Sequence, residues 1–319
     1  MPIVHADIMT DNQNDPRGEP IALKRLKHTE AQPRNDRNIL RQLYEEALIW
    51  RQLKHPNVLP LIGVETTIFE NSDAPYCIVL PWMANGTIRN YMERLSQQQK
   101  PIPVGPWLLQ IAHALDYLHR QRGVIHNDLR GANILIDHDC SVRLTDFGVS
   151  FLMKTRTSST ELRYPKGGST RWSAPERLNK EVSRHGTLKG DHEGALVTAL
   201  DIYSFACTCV ELFEGNYPMY DADESANEST RNTKDHMMAI QYSICQGDHP
   251  CRPRGEGKEM SDELWELLKR CWAKDARERP VAEELVERLS TLIENGQLKS
   301  LSRPVSQGRF AQSQVTGSQ

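Results

Sequence analysis

The stretch Gly123-Val124-Ile125-His126-Asn127-Asp128-Leu129-Arg130-Gly131-Ala132-Asn133-Ile134-Leu135-Ile136-Asp137-His138-Asp139-Cys140-Ser141-Val142-Arg143-Leu144-Thr145-Asp146-Phe147-Gly148 decides the reading of this chain. Three short apolar runs punctuate it: Val124-Ile125, Ile134-Leu135-Ile136 and Val142-Arg143-Leu144. Such runs read as short buried strands. The loops between them carry Asp128, Asn133 and Asp146. Three oxygen-bearing side chains delivered from adjacent loops could hold a divalent cation beside a proton acceptor. Magnesium favours such a set, one or two protein carboxylates plus the phosphates of a substrate.

His126 to Asn133 resembles the catalytic loop of protein kinases, and Asp146-Phe147-Gly148 resembles their metal-binding triplet. Either fragment alone is a weak signal; both, at this spacing and beside the right strands, form a strong one. Further matches lie outward in both directions. Upstream, Ile21-Ala22-Leu23-Lys24 resembles the kinase Val-Ala-Ile-Lys strand. Asn38 to Lys54 reads as an amphipathic helix with Ile39, Leu43, Ala47, Trp50 and Leu53 on one face. Glu46 on that helix matches the glutamate that pairs with the strand lysine; taken alone, Glu45 and Glu46 would both read as solvated helix charges. Val58 to Val64 and Tyr76 to Leu80 read as further strands, and Pro81 to Gly86 as the hinge, with Leu80 at the gatekeeper position. Thr87 to Leu95 and Pro106 to Arg120 read as helices. Downstream, Ser173-Ala174-Pro175-Glu176 resembles the end of an activation loop, Asp201 opens an apolar helix, and Leu264 to Trp272 and Pro280 to Ile293 read as closing helices. Arg279 takes the position that pairs with Glu176.

The resemblance implies an α+β, two-lobed protein-kinase-like fold over residues 1–294. A small β-rich lobe occupies about 1–82 and a large helical lobe about 83–294, with a disordered tail over 295–319. It also implies a task for each matched residue. Asp128 accepts or orients the proton of the attacking hydroxyl, and Arg130 offsets charge on the transferring phosphoryl group. Asn133 and Asp146 hold Mg2+. Lys24, fixed by Glu46, holds the α- and β-phosphates of ATP, and backbone groups of the hinge, at Met83, meet the adenine. Trp50, His126 and Phe147 fall where the family stacks side chains through both lobes.

Composition agrees with a large core: 319 residues, 38% hydrophobic. A net charge of −3 gives no general pull toward nucleic acid or an acidic membrane surface. The apolar stretch from Phe205 to Phe213 reads as too short to span a bilayer, and Met1 to Thr10 does not read as a signal peptide. Seven scattered cysteines suit a reduced, intracellular (cytoplasmic) setting. His113 and His119 read as packed or solvated. Cys245, His249 and Cys251 suggest a metal clip but lack a fourth ligand, so a surface loop is the plainer reading. The expected partner is a protein substrate; no feature fixes an oligomeric state.

Two departures from the family pattern stand out. No Gly-x-Gly-x-x-Gly occurs upstream of Lys24; Ile3 to Met9 reads as a strand and Thr10 to Glu19 as a polar turn, so the chain is expected to be truncated before the glycine-rich loop. Asn127 replaces the usual arginine of His-Arg-Asp. Neutral asparagine cannot form a charge-assisted pair with a phosphate on the activation loop. Phosphorylation at Thr155, Thr157, Ser158, Ser159 or Thr160 is therefore expected to be unnecessary for an active shape. Ser169 stands where serine/threonine kinases carry threonine and tyrosine kinases proline. Trp172, the Arg130 loop and Cys271-Trp272 look most like the tyrosine-kinase-like group, whose members are mainly serine/threonine specific. The expectation is an ATP-dependent serine/threonine protein kinase. A pseudokinase scaffold is the alternative suggested by the missing glycine loop, and Asp-Phe-Gly, Ala-Pro-Glu and Asp201 argue against a small-molecule phosphotransferase.

Overall fold

The computed structural model describes residues 20–25, 37–66, 77–152, 169–178, 193–218 and 234–302. The expected strand at 3–9, the turn at 10–19, positions 155–160 and the polar stretches at 184–192 and 221–233 lie outside the described residues, as does the tail beyond Ser302.

The first lobe is a three-stranded antiparallel sheet, order β1-β3-β2, with one helix on it. Strand β1 is Ile21–Arg25, β2 is Gly63–Glu65 and β3 is Cys77–Pro81. Lys24 lies opposite Ile78 and Ala22 opposite Leu80, so these four side chains share one face. Helix α1, Arg37–Arg51, turns Leu43, Ala47 and Trp50 inward at four- and three-residue steps. Glu46 sits on the buried side of the helix and Glu45 is exposed, which resolves the ambiguity between them.

The strand expected over 58–64 is corrected. Only Gly63–Glu65 joins the sheet. Val58 instead makes a parallel bridge to Leu144, with Leu59 N–H donating to the Leu144 carbonyl (2.8 Å) and Leu144 N–H to the Asn57 carbonyl (2.9 Å). Pro60 has no N–H to continue that ladder. The segment thereby fastens the loop after α1 to the strand that leads into Asp146.

The second lobe is helical. Helix α2, Ile88–Gln97, starts where Thr87 Oγ1 accepts the Asn90 N–H (3.2 Å). Helix α3, Val104–Asp116, runs on as a π-helical turn over Tyr117–Arg122 and stops at Gly123, whose φ of 63° suits glycine. Strands β4 (Val124–Ile125), β5 (Ile134–Ile136), β6 (Val142–Leu144) and β7 (Phe151–Leu152) follow, pairing β4 with β7 and β5 with β6. Then come α4 (Pro175–Leu178), α5 (Glu193–Glu214), α6 (Lys234–Gln246), α7 (Asp262–Cys271) and α8 (Ala282–Glu294).

Helix α5 is the axis of this lobe. It has 22 residues, and by length and composition its segment Leu196–Glu214 could cross a membrane, contrary to the shorter stretch read from sequence. Within the fold 89% of that segment is buried, as in the core helix of a globular domain. Its buried Asp201 carboxylate is engaged through both oxygens. Asp201 Oδ2 meets His119 Nε2 (2.8 Å) and accepts the His126 N–H (2.8 Å), while Oδ1 accepts the Asn127 N–H (2.7 Å). These contacts hold Asp201's carboxyl below the usual aspartate range although burial opposes ionisation. His119 is thus a packed histidine.

The packed domain does not end at residue 294. Leu298 and Leu301 are buried, and Leu301 exchanges hydrogen bonds of 2.8 and 2.9 Å with Ile102 at the start of α3. The disorder expected from Asn295 therefore does not hold for 295–302. His249 stacks on Trp272 (centroids 4.8 Å) and its Nδ1 donates to the Pro250 carbonyl (3.0 Å), which places the ring in an aromatic cluster instead of a metal clip.

Candidate active site

The lysine strand, α1 and the two loops of the central stretch converge on one cluster. Lys24 Nζ lies 2.7 Å from Glu46 Oε1 and 2.6 Å from Asp146 Oδ1. The three residues are 22 and 122 positions apart in sequence. Burial would lower the pKa of Lys24, but the Glu46 and Asp146 carboxylates outweigh it and push the pKa up, so the ammonium stays charged. Burial pulls Glu46 upward against the pull of Lys24. For Asp146 the burial penalty is exceeded by Lys24 and by the Gly148 N–H, and its carboxyl lies below the ordinary value.

Asp146 has φ of 65°, a left-handed conformation that aspartate tolerates better than most residues. Gly148 permits the close approach that follows. A Cβ there would stand 3.0 Å from Glu46 Oε2 and 3.3 Å from Asp146 Oδ1. Phe147 is buried between Trp50 and His126, with ring centroids 5.1 Å from each, the stack expected from the resemblance.

The catalytic-loop residues form an adjoining cluster. Asn133 Nδ2 donates to Asp128 Oδ2 (2.9 Å) and to the Asp128 carbonyl (2.8 Å). With its NH2 spent on Asp128, the Asn133 amide offers its oxygen as donor to a cation. Arg130 Nε lies 3.6 Å from Asp128 Oδ2 and its guanidinium stands over the Trp172 ring at 5.8 Å. That Nε is buried and has no hydrogen-bond partner among the described residues. The two loops are laced together: Thr145 N–H donates to the Asn133 carbonyl (3.0 Å) and His126 Nε2 to the Thr145 carbonyl (3.0 Å). Met83 sits apart, on the hinge. Its carbonyl accepts the Gly86 N–H (2.9 Å).

The donor set is chemically suited to a hard cation, since Asn133 and Asp146 present oxygen only. Lys24 supplies a fixed positive charge beside it. Asp128 provides a carboxylate whose lone pairs are not exhausted by two hydrogen bonds.

Two contacts have no counterpart in the sequence reading. Ser169 N–H donates to Asp128 Oδ1 (3.0 Å), and Arg177 Nη1 donates to the Asn127 carbonyl (2.7 Å). The sequence signal at Ser169 lies in its side chain, whereas its backbone makes the contact. Arg177 follows the Ala-Pro-Glu triplet and carries no motif signal. The expected pair of Glu176 and Arg279 is present as a fork, with oxygen–nitrogen distances of 2.6 and 2.9 Å.

Fold and site together have the arrangement of a protein kinase domain. The family described as "Protein kinase domain" matches residues 10–289. Among similar proteins, the cytokinesis protein sepH of Aspergillus niger is 31% identical over 270 residues, 85% of this chain and 17% of that protein. A probable serine/threonine-protein kinase of Dictyostelium discoideum is 28% identical over 86% of this chain and 46% of its own length. Serine/threonine-protein kinase STY17 of Arabidopsis thaliana is 28% identical over 86% of this chain and 40% of its own length. The chain thus spans less than half of each of these relatives. It belongs to the protein kinase family.

Proposed function

We propose that the chain is an ATP- and magnesium-dependent protein kinase that phosphorylates serine and threonine hydroxyls of protein substrates and belongs to the tyrosine-kinase-like group. The observation that carries this reading is the Lys24 ammonium bridging Glu46 (2.7 Å) and Asp146 (2.6 Å), beside the Asp128–Asn133 pair (2.9 Å). Three charged groups brought from distant segments into one partly buried place mark a candidate functional site.

When bound, ATP supplies the phosphoryl group and Mg2+ neutralises its charge. The chain's own residues do the positioning. Lys24 holds the phosphates, and Glu46 keeps its ammonium in place. Asn133 and Asp146 offer oxygens to the metal. Asp128 orients the acceptor hydroxyl and receives its proton, and Arg130, with its unspent Nε, offsets the charge that develops. Backbone groups of the hinge at Met83 would meet the nucleotide base.

Serine/threonine preference is supported by Ser169, whose N–H donates to Asp128; a proline there could not donate. Relatives that carry serine/threonine-protein kinase in their names support it too. An intracellular setting is supported by seven cysteines that form no disulfide. The test is transfer of γ-labelled phosphate to a generic protein substrate, with and without a magnesium chelator, followed by phosphoamino-acid analysis. Magnesium-dependent label on serine and threonine is expected. Label on tyrosine would overturn the acceptor assignment, and nucleotide-free silence would favour a scaffold that acts through contacts.

A further inference from the structure

Position 127 lies between His126 and Asp128 and holds its asparagine in a left-handed conformation, φ 66°. Its backbone is gripped from two sides. The N–H donates to Asp201 Oδ1 (2.7 Å), and the carbonyl accepts Arg177 Nη1 (2.7 Å). The Asn127 amide turns away to the Val149 carbonyl (2.9 Å) and extends no charge toward the activation segment.

Arg177 stands in α4, beside Glu176, which Arg279 anchors to the large lobe. Its Nη1 also approaches Ser173 Oγ (3.4 Å), which donates to the Ser169 carbonyl (3.1 Å). Ser169 N–H in turn donates to Asp128 Oδ1 (3.0 Å). A single guanidinium therefore reaches the residue before Asp128 directly and Asp128 itself through two serines. Burial lowers Arg177's pKa, and the Asp128 and Asp201 carboxylates act in the opposite direction. Arginine stays charged in proteins regardless. Its Nη2 is buried without a hydrogen-bond partner among the described residues, a cost that plain packing by a methionine would avoid.

We propose that Arg177 is the positioning residue of the catalytic loop, holding Asp128 against the activation segment with a resident guanidinium where an arginine at position 127 would need a phosphate. The proposal rests on the kinase reading above. A charge-assisted hydrogen bond to a carbonyl is short and directional, and small displacements of a reacting group are costly in rate. If Arg177 served only to hold α4 in place, its loss would lower stability without a selective effect on turnover.

The test compares wild type with Arg177→Gln and Arg177→Lys by kcat, KM for ATP, thermal unfolding and amide hydrogen exchange over residues 124–130. R177Q is expected to lower kcat roughly 10- to 100-fold while KM for ATP stays within about twofold, and to speed exchange in that segment. R177K, which keeps a cationic donor but on a shorter, more flexible side chain, is expected to recover part of both. A folded R177Q with wild-type kcat and wild-type exchange would overturn the proposal. If R177Q does not fold, R177K decides: wild-type kcat with wild-type exchange would overturn it. If wild type transfers no phosphate, the kinase reading fails, and the exchange comparison alone decides the role of Arg177.

Discussion

The two sides of Asp128 are built on different terms. Toward the small lobe, the Lys24 ammonium is engaged at 2.7 Å by Glu46 and at 2.6 Å by Asp146. Toward the activation segment, Asn127 Oδ1 and Arg177 Nη2 are both buried without hydrogen-bond partners among the described residues. The first side is a saturated charge cluster. The second is held by backbone acceptors and one guanidinium, with hydrogen-bonding capacity left over. Charge complementarity thus organises the side toward the small lobe, and geometry at a backbone carbonyl sets the other.

The comparison can be broken most severely at Lys24. In Lys24→Met the Glu46 and Asp146 carboxylates lose the cation that keeps them together. We expect phosphoryl transfer to fall by about 10²- to 10³-fold, the usual cost of removing one preorganised electrostatic contact. Steady-state kinetics would measure it, and a loss under tenfold would show that the cluster is dispensable.

Arg279→Met comes next and acts on stability. The Arg279 side chain is fully buried and Glu176 is 16% exposed, so the fork is shielded from solvent. Removing one partner of a buried pair costs about 3–5 kcal/mol, to be read from urea unfolding.

A smaller effect is expected at the activation segment. Ser169 has φ −92° and ψ 116°, close to what proline allows. Ser169→Pro therefore removes chiefly the N–H that bonds Asp128, with an expected loss of about tenfold in kcat, or roughly 1.4 kcal/mol. Ser169→Ala keeps the N–H and should retain most of the activity. Equal losses in the two variants would show that the hydroxyl matters and the N–H does not. The smallest effect belongs to simultaneous alanines at Thr155, Thr157, Ser158, Ser159 and Thr160. With Asn127 in place of a phosphate-binding arginine, turnover should be unchanged, and loss of activity in the folded variant would restore a role for loop phosphorylation.

Much of this was legible in the sequence, and the exceptions have physical causes. Leu43, Ala47 and Trp50 marked the buried face of α1, and the loops around Asp128 and Asp146 came with their flanking strands. Pro60 was the overlooked mark against a strand over 58–64. Leu298 and Leu301 sit in a polar stretch whose average hides them; Leu301 finds its place against Ile102 and Leu298 beside Gly105. The length of α5 was underestimated because Asp201, Thr208 and Glu211 interrupt its apolar pattern, although all three are buried inside the fold. Arg177 was invisible for a different reason. Its partner is a backbone carbonyl 50 positions away, and any residue at 127 would present the same oxygen.

The central claim is that this site performs phosphoryl transfer with Asp128 at its centre, and transfer of γ-labelled phosphate in the presence of magnesium by wild type and by Asp128→Asn tests it most directly. Asparagine preserves the size of the side chain and removes the proton acceptor, so clear labelling by wild type and a loss of about 10²- to 10⁴-fold in the variant are predicted. Equal labelling by the two proteins, or none by either, would contradict the account.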